Sequence, residues 1–112
     1  MSSKNILSLE IYDSNLFEAL PTSPDLQKYD TGHDIAEIGN DDYALQIWIN
    51  AMHGPAEIEC NFGRKINWND SHDEYEFDYL DSFDITEHLN GATPKEVLIM
   101  FFLFFLNQYE RE

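Results

Sequence analysis

Basic residues are scarce in this sequence. Its 112 residues hold 6 lysines and arginines against 22 aspartates and glutamates, giving a formal net charge of −16 and a pI near 4.2. Nucleic acid and anionic membrane surfaces are therefore poor partners, because gripping phosphates takes clustered Lys and Arg. Cysteine is nearly absent as well. Cys60 alone permits no internal disulfide and no multi-cysteine zinc site, and the reducing cytosol is the default compartment. Long apolar runs are missing too. The densest, Val97 to Leu106, spans ten residues, about half of what a bilayer crossing needs, and MSSKNILSLEIYD has no long apolar signal core. The expectation is a soluble, cytoplasmic protein.

Catalytic signatures are likewise wanting. The four histidines, His33, His53, His72 and His88, are scattered, with neither HExxH nor His-x-x-x-His spacing. NDSHDEYEFDYLD offers oxygens for calcium, but it has no glycine at the sixth position and puts His72 where an oxygen is wanted. No nucleophile elbow, Walker loop or dinucleotide fingerprint occurs. Cys60 falls on the inward face of a predicted strand and reads as a small core residue. The sequence therefore assigns no catalytic residue, no cofactor and no metal, and a non-enzyme is expected.

What is present argues for a folded chain. Hydrophobic residues reach 43% and aromatics 14%, well outside the composition of disordered segments, and the length suits one domain over residues 1–112. Leu7, Leu9 and Ile11 alternate with polar residues and predict a first strand. Asp13 or Ser14 caps a short helix running to Leu20 and stopped by Pro21; Ser23-Pro24 starts a second helical turn reaching Tyr29. A loop with a short strand at Ile35 to Ile38 follows. Tyr43 to Ile49 alternates with apolar groups on both faces and predicts a central strand. Beyond the turn at His53-Gly54-Pro55, Ala56, Ile58, Cys60 and Phe62 point inward, with Glu57, Glu59 and Asn61 outward. Gly63-Arg64-Lys65 predicts another turn, after which INW opens a further strand.

Asp84-Ile85-Thr86-Glu87 has the form of a capping box, with Gly91 placed to end its helix. Thr93-Pro94-Lys95-Glu96 is a stronger helix start, opening a segment to about Tyr109 that is apolar nearly all round and should lie buried. The fold class expected is α+β: an antiparallel sheet of four or five strands packed against a C-terminal helix, with short N-terminal helical segments.

The stretch NDSHDEYEFDYLDSFDITEH holds eight carboxylates, four aromatics and no Lys or Arg. As a strand, Glu74 to Tyr79 sends Tyr75, Phe77 and Tyr79 to one face, expected to join the core. Glu74, Glu76 and Asp78 then form a carboxylate row on the other, same-side neighbours about 6.8 Å apart. Helical spacing of the same residues also gives an acidic face, but six alternating residues rich in aromatics favour the pleat. Glu57 and Glu59 on a neighbouring strand extend the patch. Edge protection is commonly served by lysine or by mixed charge, and like charges along a sheet destabilise it. A cationic partner therefore explains the sign of the charge better than a merely wet face does. The candidate partner-binding residues are Asp70, Asp73, Glu74, Glu76, Asp78, Asp81 and Asp84, with Glu57, Glu59, Tyr75 and Tyr79 and, where exposed, Trp68.

A short, strongly acidic, cysteine-poor α+β domain with such a surface resembles the immunity proteins that neutralise bacterial toxins, including contact-dependent growth inhibition toxins and nuclease colicins. EYEFDY carries the likeness most directly. The resemblance is one of class. It implies one-to-one binding of a basic toxin domain, a nuclease, without catalysis and without nucleic acid or membrane as partner. Two alternatives stand beside it: a nucleic-acid mimic aimed at a host DNA- or RNA-binding protein, and a non-catalytic acidic subunit of a larger assembly.

Overall fold

The computed structural model describes residues 7–110, the side chains of Asn69 and Glu74 excepted. The chain forms a five-stranded antiparallel meander, with strands in sequence order across the sheet: β1 (Ser8–Ile11), β2 (Asp34–Gly39), β3 (Tyr43–Asn50), β4 (Glu57–Asn69) and β5 (Glu74–Asp84). Between β1 and β2 lie α1 (Ser14–Ala19) and two 3₁₀ turns. After β5 come α2 (Thr86–Leu89) and α3 (Pro94–Glu110). The architecture is thus α+β, as the sequence leads one to expect.

Local chemistry accounts for the short pieces. Asp13 caps α1 by accepting the Leu16 N–H at 3.0 Å, and its other oxygen stands 2.7 Å from His33 Nε2. α1 stops before Pro21, as expected, and the chain continues as a 3₁₀ segment, Leu20–Thr22, whose first turn takes the proline because a missing N–H costs nothing there. The following turn is capped by Asp25, which accepts the Gln27 N–H, and not by Ser23, which turns left-handed at φ 54°. Asp84 does not close a capping box over α2. Its carboxylate instead accepts the N–H and hydroxyl of Thr86.

One face of the sheet carries the core. Leu45, Ile47 and Ile49 of β3 and Ile58, Cys60 and Phe62 of β4 are buried beneath α3, which adds Val97, Leu98, Phe102, Phe105 and Leu106. Phe62 is the hub, its ring centroid 5.3 Å from Phe105, 5.5 Å from Tyr43 and 5.6 Å from Tyr109. Fully burying a side chain of this size is worth about 1.5–3 kcal/mol in transfer alone. Cys60 lies in this core with no exposure, and burial pushes its thiol far above the usual cysteine range.

α3 is not buried all round. Met100, Leu103 and Phe104, spaced three and four apart and hence on one stripe, stay about half or more exposed. The sheet lies along only one side of the helix, so an all-apolar sequence leaves a stripe over. Among the described residues no helix is long and apolar enough to cross a membrane.

Candidate functional site: an acidic cleft under an aromatic arm

Among the described residues no helix covers the second face of the sheet, and three irregularities decide what it displays. Phe62 pairs with Asp81 and Gly63 with Tyr79, so Leu80 is an extra residue in β5. Lys65 pairs with Phe77 and Asn67 with Glu76, so Ile66 is extra in β4. Asp34 pairs with Trp48 and Ala36 with Ile47, so Ile35 is extra in β2. Each bulge reverses which face the following side chains take and sharpens the local twist. Gly63-Arg64-Lys65 is accordingly no turn. β4 runs through it as one 13-residue strand, kinked and not interrupted.

These bulges overturn one expectation about the acidic stretch. It is a strand, but Tyr75, Phe77 and Tyr79 do not join the core. Beyond Leu80 the phase of β5 changes, so Phe83 packs toward α3 while Tyr75 and Tyr79 face the open side at 47% and 63% exposure. The bulge at Ile66 brings Trp68 opposite Tyr75, and their rings meet edge to face at 5.0 Å. Phe77 and Tyr79 form a second edge-to-face pair at 5.2 Å.

Pairing of β3 with β4 ends at Tyr43 and Arg64, so the rest of the β4–β5 hairpin projects as an arm beyond the first three strands. Asp70 to Asp73 form its turn, Asp73 taking the left-handed conformation at φ 53° that aspartate tolerates better than most residues. The arm bends over the open face and encloses a cleft of about 770 Å³. Tyr12, Glu10, Asp34 and Glu37 line the sheet side, Trp68, Tyr75, Phe77 and Tyr79 the arm side, with Lys65, Asp73 and Glu76 between.

Cross-strand register builds the floor. Glu10, Glu37, Gln46, Asn61 and Ser82 stand in one row across all five strands. The Tyr12 hydroxyl reaches Glu10 at 3.3 Å and Glu37 at 3.5 Å, and Gln46 Nε2 donates to Glu37 at 3.0 Å. Partial burial, then the Glu37 and Glu10 carboxylates, hold this hydroxyl well above the usual tyrosine range. The floor is strongly negative.

The candidate residues are therefore dispersed. Asp73, Tyr75, Glu76 and Tyr79 meet at the cleft. Glu57, Glu59 and Asp84 gather at the opposite end of β4, with Glu59 directly across from Asp84 and hydrogen-bonded to the Ser82 hydroxyl; they do not extend a row from Glu74 to Asp78. Partial burial and a hydrogen bond to Asp84 raise Glu57 above the usual glutamate range. Asp84 sits below its own range despite partial burial, because Thr86 and Glu57 donate to it. Asp81, opposite Phe62, and Asp78, opposite Arg64, fall on the helix side. Arg64 stands across from Asp78 in the ladder, its guanidinium over the Tyr43 ring of β3. Asp70 lies exposed in the turn. Glu74 pairs with Asn69 in the ladder, and its side chain lies outside the described residues.

Sequence reasoning missed Glu10, Tyr12, Asp34, Glu37 and Lys65 as parts of this site. Glu10 and Glu37 occupy polar slots of alternating strands, a signal that was legible; their meeting depends on register. Among the described residues no group of three or more His, Cys, Asp or Glu side chains is placed to hold a metal ion. Compared with protein-family models, with curated proteins and with solved structures, the chain finds no match in any of the three.

Proposed function

We propose that this protein is an immunity-type inhibitor that binds a basic toxin domain, a nuclease, one to one through the acidic cleft and the arm above it. The observation that carries the reading is that exposed aromatics and carboxylates line one concave surface: Trp68, Tyr75 and Tyr79 with Glu10, Asp34 and Glu37. A nuclease must keep a cationic cleft for its polyanionic substrate. A preformed acidic surface is steered toward that cleft by long-range attraction, and once docked it excludes the substrate. Half-exposed Trp and Tyr supply the desolvated anchors that dominate interface energy, while surrounding carboxylates set rate and specificity. No bond is made or broken, so the protein is consumed in the complex.

The test is co-expression with the product of the neighbouring reading frame. Growth arrest by that product, relieved by this protein, supports immunity; a harmless neighbour contradicts it. A second reading has its own observation. The exposed stripe Met100, Leu103 and Phe104 on α3 suits a non-catalytic subunit docked in a larger assembly. Replacing Leu103 and Phe104 with glutamine abolishes partner binding on that reading and spares it on the first.

A further inference from the structure

Among the described residues, the cleft under the arm contains one cation of its own. Lys65 Nζ donates to the Asn40 carbonyl at 2.8 Å and stands 5.4 Å from the Tyr75 ring centroid. That ammonium takes one corner. The remaining space, within a cleft of about 770 Å³, falls in the size range of small-ligand sites, about 300–1,000 Å³.

The walls fit a second cation of a different shape. Trp68 and Tyr75 meet edge to face at 76° and Phe77 and Tyr79 at 88°, so each pair sets a ring face beside a ring edge along the arm side of the cleft. Opposite them, Glu10 and Glu37 are directly cross-paired on β1 and β2, bridged by the Tyr12 hydroxyl, with Asp34 beside them. A flat cation can donate from its edge to two carboxylates while a ring lies on its face. A guanidinium has that form, and an ammonium does not.

We propose that the cleft is a receptor for an arginine side chain of the basic partner, its guanidinium seated between the exposed Trp68 and Tyr79 rings and the Glu10–Glu37 pair. This inference rests on the cationic-partner reading and narrows it to one side-chain type and one seat. Lys65 then orders the arm from within, drawing Tyr75 toward the Asn40 end of the sheet, and leaves the carboxylates of β1 and β2 to the incoming residue.

The experiment uses three short peptides, identical except that the central residue is arginine, lysine or citrulline, titrated into the ¹⁵N-labelled protein at constant ionic strength. The two indole N–H signals report separately. Trp68 lines the cleft and Trp48 does not; with the Asn61 amide turned so that its oxygen meets the ring nitrogen, the Trp48 indole donates to Oδ1 at 2.8 Å. The expected result is a saturable shift of the Trp68 signal with the arginine peptide, at least about tenfold weaker with lysine and lost with citrulline, while Trp48 stays still. Glu37→Gln weakens the arginine effect at least tenfold, and Tyr79→Ala, at an exposed position, does the same. Equal shifts with citrulline, or an arginine response untouched by either variant, overturn the proposal. Its failure is distinct from failure of the immunity reading: an arginine response stands even if the neighbouring gene product proves harmless, and growth rescue unaffected by Glu37→Gln removes the arginine seat while leaving immunity in place.

Discussion

The Phe77 ring lies directly on the backbone of Gly63: a Cβ at that glycine would stand 2.8 Å from the ring and 2.8 Å from the Asp78 carbonyl. Gly63 is where the arm begins, next to the bulge at Leu80, and the missing side chain is what lets the arm lean over the sheet. The cleft therefore depends on a residue that contributes nothing chemical to it.

Gly63→Ala should destabilise the protein by about 1–3 kcal/mol, the usual cost of forcing atoms into packed space. It should also lift the arm. Urea unfolding gives the first, as a lower midpoint at unchanged slope, and a red-shifted Trp68 emission gives the second. A midpoint equal to that of the parent would show that the arm already has room.

Phe62 holds the other side of the sheet together, stacked against Tyr43, Phe105 and Tyr109. Phe62→Ala should cost about 3–5 kcal/mol, because the cavity is ringed by strands and α3 and collapses poorly. The effect on partner binding, measured below the unfolding midpoint, should be small, since the core faces away from the cleft.

The Glu57–Asp84 pair makes stability depend on pH in two opposite senses. Glu57 holds its proton above the ordinary glutamate value of about 4.3, so the folded state keeps a proton that the unfolded state releases. Stability falls as pH rises through the raised value. Asp84 is depressed below about 3.9, so its contribution is present above that value and is lost as pH falls through the lowered one. Glu57→Gln keeps a donor facing Asp84 and removes the first loss. Its thermal midpoint should decline less than that of the parent as pH rises above about 4.3; parallel profiles would refute the shared proton.

Asp13 gives a simpler case. The Leu16 N–H and then His33 hold it below the usual carboxylate range, so its contribution is complete above about pH 3.9 and lost as pH drops through the lowered value. Asp13→Ala should cost about 0.5–2 kcal/mol, as lost helix caps do, with the difference from the parent shrinking in acid. Urea titrations at neutral and acid pH measure it.

Charge at the cleft should govern the speed of association. Glu10→Lys with Glu37→Lys should slow partner association at least about tenfold, and Asp78→Lys, across from Arg64 on the helix side, much less. Raising salt to about 0.5 M should slow the parent by a similar factor, because the screening length falls to a few ångströms. Stopped-flow rates that ignore salt, or that respond equally to Asp78 and Glu37, contradict steering through the cleft.

Much of this architecture was legible in the residues. The Tyr43–Ile49 alternation marks the middle strand, and Thr93-Pro94 marks where α3 begins. The site was legible only in part. Alternation in EYEFDYLDSFD reads as one continuous phase, and nothing in the residue types announces that Leu80 is the extra one that sends Tyr79 and Phe83 to opposite faces. Gly63-Arg64 looks like a turn because glycine and charge are common in turns, whereas here the glycine accommodates Phe77. Glu10 and Glu37 are 27 positions apart and become neighbours only through register.

Inhibition by occupancy is read from the purified pair. Nuclease activity of the neighbouring gene product is titrated with this protein at concentrations well above the dissociation constant. The account requires activity to fall linearly and reach zero at one equivalent, with Trp68 emission saturating at the same point. Silencing by a few hundredths of an equivalent would mean turnover and hence an enzyme, and full activity beyond one equivalent would mean that the acidic cleft serves some other partner.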